Sequence, residues 1–271
     1  MTFAIHTIFI MKENVLFLEE WLCYHILLGF TKFYLYDNSK CQRPGNWDAI
    51  HSPLLKCGTV NKYNINYDNI VKSTNINANE LFTKIIHKYK DFVILVEWSP
   101  LNENGFVFYG QWEGHSDCLQ KLKVDNVLWC ANIDMDEYIV IKNYKTIQDY
   151  LTNLDDSISN VSLSEKLFKS RFSNIGGLCL DIDERQMKGK KFKHVCHKKN
   201  IYQVSKTEII RTHSWVGQGI EKYATLDDIW FNHYRVNDLL NWVESENNIN
   251  PSILDALHNA SRDFILQPKD F

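Results

Sequence analysis

The order of apolar and polar positions near the N-terminus predicts a strand, a helix and a second strand. Residues 3–10 are nearly all apolar, β-branched or aromatic, which is typical of a buried strand. An amphipathic stretch follows, with Asn14 as the predicted N-cap and Gly29 where a helix C-terminal glycine belongs. Residues 32–36 predict a second strand, so this region predicts a βαβ unit with parallel strands. The apolar positions of the helix are Val15, Leu18, Trp21, Leu22 and Ile26.

The alternation continues to about residue 140 and then weakens. The predicted helices span 47–56, 80–89 and 108–123, and the predicted strands span 60–65, 92–96 and 127–133. The asparagine-rich stretch 64–79 predicts a loop. Further strands are predicted over 160–169, 201–212 and 226–235, and Pro251 begins a last helix. This pattern predicts an α/β fold with a mixed second half.

Composition excludes several classes of protein. The chain has 271 residues, of which 45% are hydrophobic, which is enough apolar material for a packed core. A net charge of −3 and a pI near 6.4 provide no basic field, so we expect no nucleic-acid partner. No apolar run reaches the roughly 18 residues that a transmembrane segment needs. We therefore expect a globular protein without a transmembrane segment.

The cysteines and the N-terminus indicate a compartment. The seven cysteines are odd in number, widely spaced and without a C-x-x-C pair. This usage favours reduced thiols over a disulfide framework or a zinc cluster. The chain begins with a strand pattern instead of the basic and apolar regions of a signal peptide. These observations predict a cytoplasmic protein.

Two carboxylates follow the predicted strand of residues 127–133. Asp134 and Asp136 lie on the same face of an extended segment, and a divalent cation would relieve their mutual repulsion. Hard oxygen ligands of this kind suit Mg²⁺ or Mn²⁺, which bridge to phosphate oxygens. Open α/β sheets bind ligands beyond the carboxyl ends of their strands, where this pair lies. A second triplet, Asp181-Ile182-Asp183, shows that the pattern alone has low specificity, because a solvated turn also produces it.

Several short sequence blocks follow one another in a fixed order along the chain. They are Lys12–Asn14, Glu20-Trp21, Tyr24-His25, Leu28–Phe30, Phe33–Ser39, Gln111, Asp117–Leu119, Trp129–Tyr138 and Asn232–Arg235. Together these blocks resemble glycosyltransferase family 92 and its related family-2-like clan. The resemblance implies a GT-A fold and transfer of a sugar, with inversion, from a nucleotide-sugar donor, usually a UDP-sugar, with Mn²⁺ or Mg²⁺. It also implies a single domain over 1–271, with a donor-binding half over 1–140 and an acceptor-side half with the C-terminal helix over 141–271.

The resemblance also implies roles for individual residues. Asp134 and Asp136 would hold the metal, directly or through water, with His233 as the third ligand and His213 as its rival. Trp21 and His25 lie on a helix rich in core positions and are interpreted as structural. The predicted nucleotide-sugar-binding residues are Lys12, Glu13, Asn14, Asp37, Asn38, Gln111 and Arg235. A helix cap at Asn14 and a plain turn at 37–38 are the alternatives for those positions.

The catalytic base is not identified by the sequence. An inverting transferase needs a carboxylate that takes the proton of the acceptor hydroxyl. The candidates are Glu165, Asp181, Asp183 and Glu184. The segment 165–172 departs from the pattern of the family, so the acceptor, a glycan or a lipid-linked precursor, stays open.

Three further interpretations complete the prediction. The basic segment 185–199 predicts a solvated loop, with contact to an anionic acceptor or a peripheral membrane contact as the alternative. A transferase-like module that binds a sugar nucleotide without catalysis is one alternative function. A nucleotidyltransferase is another, although no glycine-rich phosphate loop supports it.

Overall fold

The fold is described from a computed structural model of the chain. The structure describes residues 2–41, 76–182, 184–185, 198–234, 243–244 and 249–265. The helix predicted over 47–56 and the strand predicted over 60–65 lie outside these residues, as do Asp183 and Arg235. Within them the chain is a mixed α/β structure built on one 11-stranded sheet, with a separate two-stranded sheet over Thr207–Ile210 and Trp215–Gly217.

Strands and helices alternate in the first half, as the sequence pattern predicts. The strands are β1 (Phe3–Phe9), β2 (Lys32–Asp37), β3 (Val93–Glu97), β4 (Trp129–Asn132) and β5 (Glu137–Ile141). The helices are Met11–Asn14, Leu18–Leu27, Ala78–Lys88, Gln111–Val124 and Ile147–Thr152. The helix predicted over 80–89 and the strands predicted over 92–96 and 127–133 are confirmed within a few residues.

The second half contributes strands of both directions. They are β6 (Ile158–Phe168), β7 (Glu184–Arg185), β8 (Lys199–Gln203), β9 (Thr207–Ile210), β10 (Trp215–Gly217), β11 (Ile220–Tyr223), β12 (Ile229–Tyr234) and β13 (Val243–Glu244). The last helix is Pro251–Ala260, with its proline in the first turn as predicted. The strand predicted over 201–212 is wrong as one element, because a 3-10 turn at Val204–Lys206 separates β8 from β9.

The first four strands create a natural binding edge. β3, β2, β1 and β4 lie side by side in that order, and each pairs in parallel with its neighbour. The order of the strands therefore reverses at β1. The chain continues from β1 to β2 and β3 on one side and then returns to form β4 on the other side of β1. In open α/β sheets such a reversal leaves a crevice beyond the carboxyl ends of the two strands. β8 then pairs antiparallel with β4 and continues the sheet into the second half.

Apolar side chains cover both faces of this sheet. Phe3, Ile5 and Phe9 of β1 face the larger core, while Ala4 and Ile8 face a smaller one. Helices Leu18–Leu27 and Pro251–Ala260 pack on the first face, and helix Gln111–Val124 packs on the second. None of the described helices is long and apolar enough to span a membrane.

Helix Leu18–Leu27 supports β5, the strand that follows the Asp134–Asp136 pair. Trp21 Nε1 donates to the carbonyl of Glu137 at 2.9 Å, and Tyr24 donates from its hydroxyl to the carbonyl of Ile139 at 2.6 Å. Trp21 and His25 are fully buried, so the structural role predicted for both is confirmed. Gly29, with φ of +104°, follows the helix as the predicted C-terminal glycine.

The predicted capping role of Asn14 is wrong. The helix after it begins at Leu18 with Phe17 as its N-cap, and no side chain caps it. Asn14 is instead the last residue of the short helix Met11–Asn14, and its amide donates to the carbonyl of Ile10 at 2.8 Å. Asn14 does not cap the second helix because a turn over residues 15–17 lies between Asn14 and the start of that helix.

His25 makes stability dependent on pH. Its Nδ1–H donates to the carbonyl of Trp21 at 2.8 Å, and its Nε2 lies 3.4 Å from the amide nitrogen of Ile139, from which the neutral ring accepts. Burial lowers its pKa to about 3, against a small opposite effect of the Trp21 carbonyl. Below the ordinary pKa of 6.5, His25 therefore binds a proton in the unfolded chain but stays neutral in the folded chain until the pH approaches 3. This part of the stability is present above pH 6.5 and is lost as the pH falls toward 3.

The variant His25→Gln should show a flatter dependence of stability on pH. Between about pH 6 and pH 4.5 we expect the unfolding free energy to fall less steeply, by about 1.4 kcal/mol per pH unit, than in the unmodified chain. Urea unfolding across this range measures both slopes. His87→Gln, on the exposed face of helix Ala78–Lys88, is the matched control and should keep the original slope. Equal slopes for all three proteins would contradict the prediction.

Candidate active site

The candidate site lies beyond the carboxyl ends of β1 and β4. Glu13 and Asn14 follow β1, and Asp134 and Asp136 follow β4. Arg171 ties these two segments together from the start of a 3-10 turn. Its guanidinium donates to the carbonyl of Met135 at 2.9 Å, to the carbonyl of Glu13 at 3.0 Å and to Oδ1 of Asn14 at 2.6 Å. Because Arg171 is only 5% exposed, these bonds form in a largely dry environment.

His233 reaches the same edge from β12. This strand pairs antiparallel with β5, where His233 lies opposite Glu137, and the backbone of Tyr234 donates to the carbonyl of Asp136 at 2.9 Å. His233 Nδ1 lies 2.6 Å from Oε1 of Glu165, to which it donates. The ring therefore presents Nε2 to Asp136, with 3.4 Å between Nε2 and Oδ2.

The charges at this edge shift the pKa values of their neighbours. Burial alone would lower the pKa of His233, but Asp136, then Glu165 and Glu137, outweigh burial and raise that pKa to about 10. Burial alone would raise the pKa of Asp136, but His233 holds that pKa well below its ordinary range. Burial raises the pKa of Glu137 to about 7, against the opposing charge of Lys199. Asp136 and His233 therefore each stabilise the charged form of the other.

Lys199 of β8 binds the other carboxylate of the pair. Its ammonium lies 2.7 Å from Oδ2 of Asp134 and 3.2 Å from Oε2 of Glu137. The Lys199 side chain is 2% exposed, although the sequence predicted a solvated loop over 185–199. That prediction is wrong for Lys199, because the residue begins a buried strand, while residues 186–197 lie outside the described residues. Burial alone would lower the pKa of Lys199, but Asp134 and Glu137 raise it above its ordinary value.

The donor set fits a hard divalent cation, with Asp136 and His233 as protein ligands. A ligating histidine usually donates its second ring N–H to a carboxylate, as His233 does to Glu165. Adjacent ligands of Mg²⁺ or Mn²⁺ are about 3 Å apart, close to the 3.4 Å between Nε2 and Oδ2. The described residues contain no group of three His, Cys, Asp or Glu side chains with metal-site spacing. Such ions commonly take one or two protein ligands and complete their shell with water and substrate phosphates.

The predicted donor-binding residues fall into two groups. Glu13 and Asn14 line the candidate site, where burial raises the pKa of Glu13 to about 7 despite Arg171. Lys12 is exposed beside them, and Gln111 begins the helix Gln111–Val124. Asn38 is fully buried, and its amide nitrogen donates to the carbonyls of Trp98 at 2.7 Å and Phe108 at 3.2 Å. Asn38 therefore links the two ends of the loop between Trp98 and Phe108.

Asp37 forms a local turn at the end of β2. Its carboxylate accepts from the backbone N–H of Ser39 at 2.9 Å and from the Ser39 hydroxyl. The plain-turn alternative therefore describes the observed contacts of Asp37, which is half-buried. Arg235 lies outside the described residues.

The base candidates lie in different places. Glu165 is at the site but orients His233. Asp181 lies elsewhere, 3.1 Å from Nε2 of His258, and lines a separate cavity of about 190 Å³ between helices Leu18–Leu27 and Pro251–Ala260. Asp183 and the Glu184 side chain lie outside the described residues, although the backbone of Glu184 forms β7.

His213, the rival of His233, lies on the rim of the site. Its Nδ1 is 2.9 Å from the carbonyl of Lys198. Burial lowers its pKa, and Asp134 and Glu165 are near enough to oppose that shift. The structure thus brings His233 into contact with Asp136 and leaves His213 on the neighbouring loop.

Three participants were not predicted as site residues: Lys199, Arg171 and Tyr109. Tyr109 donates from its hydroxyl to the carbonyl of Ile8 at 3.1 Å. Burial raises its pKa well above the ordinary value, and Asp134 and Glu13 add to the shift. The partners of these three residues are distant in sequence. The single sequence signal was the position of Lys199 shortly before the strand predicted over 201–212.

The sequence model of glycosyltransferase family 92 matches residues 73–263, well over half of the chain. The chain belongs to glycosyltransferase family 92. The matched range includes Asp134, Asp136, Glu165, Lys199 and His233, so the family 92 chain carries this cluster within its defining region. The blocks before residue 40 lie outside the match.

Other comparisons with this family 92 chain are weaker. No curated protein matches the sequence. Among solved structures it is similar to apo UDP-glucose pyrophosphorylase, at 7% identity over 97% of this chain and 99% of that chain, with a TM-score of 0.30. It is also similar to UDP-glucose pyrophosphorylase complexed with UDP-glucose, at 8% identity over 97% and 98%, with a TM-score of 0.29. At these scores neither likeness carries an argument about this enzyme.

Proposed function

We propose that this glycosyltransferase moves a sugar from a nucleotide-sugar donor, a UDP-sugar, to a glycan or lipid-linked acceptor, with inversion and with Mn²⁺ or Mg²⁺. The proposed fold is GT-A over the single unit 1–271, with the donor bound on the side of residues 1–140. Asp136 and His233 would bind the cation directly. Asp134 would bind it through water or through the oxygen that Lys199 does not occupy.

The observation that carries this proposal is the arrangement of Glu165, His233 and Asp136. The carboxylate of Glu165 fixes the ring of His233 at 2.6 Å and turns Nε2 toward Asp136. This oriented imidazole and the carboxylate face each other at the edge of the sheet where a nucleotide would bind.

The residues around this pair support transfer chemistry. When bound, the cation would neutralise the diphosphate leaving group as the glycosidic bond breaks. Arg171 ties the segment after β1 to the segment after β4, and Asp136 and Glu13 lie near enough for the charge of Asp136 to act on Glu13. Asn14 accepts from Arg171 and is thereby fixed at the donor side of the crevice beyond β1 and β4. This preorganisation is what positions a donor before reaction.

A panel of donors tests the proposed function. The protein is incubated with Mn²⁺ and, in turn, UDP-glucose, UDP-galactose, UDP-N-acetylglucosamine and GDP-mannose, and nucleotide release and the shift in melting temperature are measured. We expect one donor to raise the melting temperature and to be hydrolysed slowly in a manner that EDTA stops. Binding and hydrolysis of none of them would overturn the proposal. Pyrophosphate release from UTP and a sugar 1-phosphate would identify a nucleotidyltransferase instead.

We also propose a cytoplasmic location. Cys23, Cys118, Cys130 and Cys179 are buried, and none of the described cysteines forms a disulfide, as suits a reducing compartment. Recovery of the native protein in a membrane fraction after a high-salt wash would contradict this location. Release by that wash would indicate a peripheral membrane contact.

The variant Glu165→Gln should bind the cation more weakly. A neutral amide no longer stabilises the orientation of His233, so we expect Mn²⁺ affinity to fall about 10- to 100-fold. Electron paramagnetic resonance of unbound Mn²⁺ measures this affinity. Glu80→Gln, at an exposed position on helix Ala78–Lys88, is the matched control. Unchanged affinity in Glu165→Gln would show that the His233 orientation does not matter for the cation.

A further inference from the structure

Lys199 occupies an unusual place for a lysine. β8 pairs with β4 such that Asn200 lies opposite Asn132, and Lys199 is next along the strand on the side of Asp134. Its ammonium bridges Oδ2 of Asp134 at 2.7 Å and Oε2 of Glu137 at 3.2 Å. Lys199 is 2% exposed and Glu137 is 1% exposed, so this ion pair is shielded from water.

The bridge changes what Asp134 offers to a ligand. One carboxylate oxygen of Asp134 is bound by the ammonium, while the side chain stays 38% exposed. Glu137 Oε2 also accepts from the backbone N–H of Asp134 at 2.8 Å, which fixes the turn that carries both aspartates. Asp134 is therefore held in place by residues of the chain itself, and one of its two carboxylate oxygens is engaged by the ammonium.

The positive charge of the Lys199 ammonium also disfavours a divalent cation next to Asp134. Asp136 instead faces His233, and the charge of Lys199 acts on Asp136 as a lesser influence than that of His233. A divalent cation next to Asp134 would lie within about 5 Å of the Lys199 ammonium, where like charges repel appreciably because the surroundings screen poorly.

We propose that Lys199 is an internal counter-cation of the active site, a positioning residue that holds Asp134 and weakens the binding of a divalent cation. This inference rests on the proposed metal-dependent function. In the free enzyme the ammonium balances Asp134 and Glu137, so the loop after β4 is formed before any cation arrives. The cation then binds reversibly through Asp136 and His233, and the phosphates of the donor complete its shell.

Direct Mn²⁺ binding to variants of the full chain tests this role. Three substitutions separate the charge of Lys199 from its hydrogen bond. Lys199→Met removes both, Lys199→Gln keeps a donor without charge, and Lys199→Arg keeps the charge. Lys222→Met is the matched control, because Lys222 forms a 2.8 Å ion pair with Asp228 beside the other end of β6. Affinity is measured by electron paramagnetic resonance of unbound Mn²⁺, and stability by the melting temperature with and without Mn²⁺.

The expected result is tighter cation binding without the charge. Lys199→Met and Lys199→Gln should bind Mn²⁺ about tenfold or more tightly than the unmodified chain, and Mn²⁺ should raise their melting temperatures more. Lys199→Arg and Lys222→Met should match the unmodified chain. If Lys199→Met folds only when Mn²⁺ is present, that also supports the proposal, because the cation then replaces the ammonium.

Two other results would overturn it. If the unmodified chain binds Mn²⁺ while Lys199→Met and Lys199→Gln bind it equally or more weakly, Lys199 is a structural residue only. If the unmodified chain and all variants fail to bind Mn²⁺ or Mg²⁺, the proposed metal dependence fails, and the role of Lys199 fails with it.

Discussion

Asp136→Ala is expected to lower the rate of donor turnover by a factor of about 10³ or more, because the proposed cation loses its carboxylate ligand. The substitution also removes the group that faces His233 Nε2 at 3.4 Å. Mn²⁺ binding should therefore weaken together with turnover. Nucleotide release at saturating Mn²⁺ and the Mn²⁺ affinity of the same preparation measure the two effects.

Asp227→Ala is the matched control for this experiment. Asp227 is an aspartate with an 89% exposed side chain that lies 3.0 Å from Lys142, on the surface next to β5 and β12. Its removal should change turnover by less than about twofold, as for other surface ion pairs. If Asp136→Ala keeps its Mn²⁺ affinity and a rate within tenfold of the original, Asp136 is not the proposed cation ligand.

Arg171→Met is expected to lower the free energy of unfolding by about 3–5 kcal/mol. The substitution leaves the buried carbonyl of Met135, the partly buried carbonyl of Glu13 and the side-chain oxygen of Asn14 without their donor, and each such loss costs about 1–3 kcal/mol. It also removes a guanidinium that lies 4.8 Å from the ring of Phe17. Urea unfolding measures the stability, and the KM for the donor should rise because the segments after β1 and β4 are no longer tied together.

Arg262→Met controls for the loss of an arginine at an exposed position in the turn Ser261–Asp263. We expect less than about 0.5 kcal/mol for it. A loss below about 1 kcal/mol in Arg171→Met would show that the bonds of Arg171 are replaced by water when the side chain is removed.

Much of the first half of this fold, together with the last helix of the chain, is predictable because the signals are local. The helix before Gly29, the strand before Asp134 and the last helix at Pro251 each depend on periodicity and terminal residues within one segment. The second half was harder to predict because its strands form both parallel and antiparallel pairs. Nothing in the sequence of residues 201–212 marks the 3-10 turn at which β8 ends.

The candidate site was predictable only in part, for a related reason. Asp134 and Asp136 follow an apolar strand, which is a local signal. Arg171 binds Glu13 across 158 positions of sequence, and Lys199 binds Asp134 across 65. Such partners leave no periodic trace, because each is one residue whose role depends on a strand order that only the folded chain establishes.

The pairing of β4 with β8 has a consequence for synthesis. Trp129 lies opposite Gln203, and Asn132 lies opposite Asn200. The pairing partner of β4 is therefore translated about 70 residues after β4 itself. At ordinary translation rates this interval lasts roughly 4 to 14 seconds. During it the nascent chain exposes an apolar strand edge, Trp129–Asn132, of the kind that recruits other chains. Slower translation would lengthen that exposure and raise the demand for chaperones.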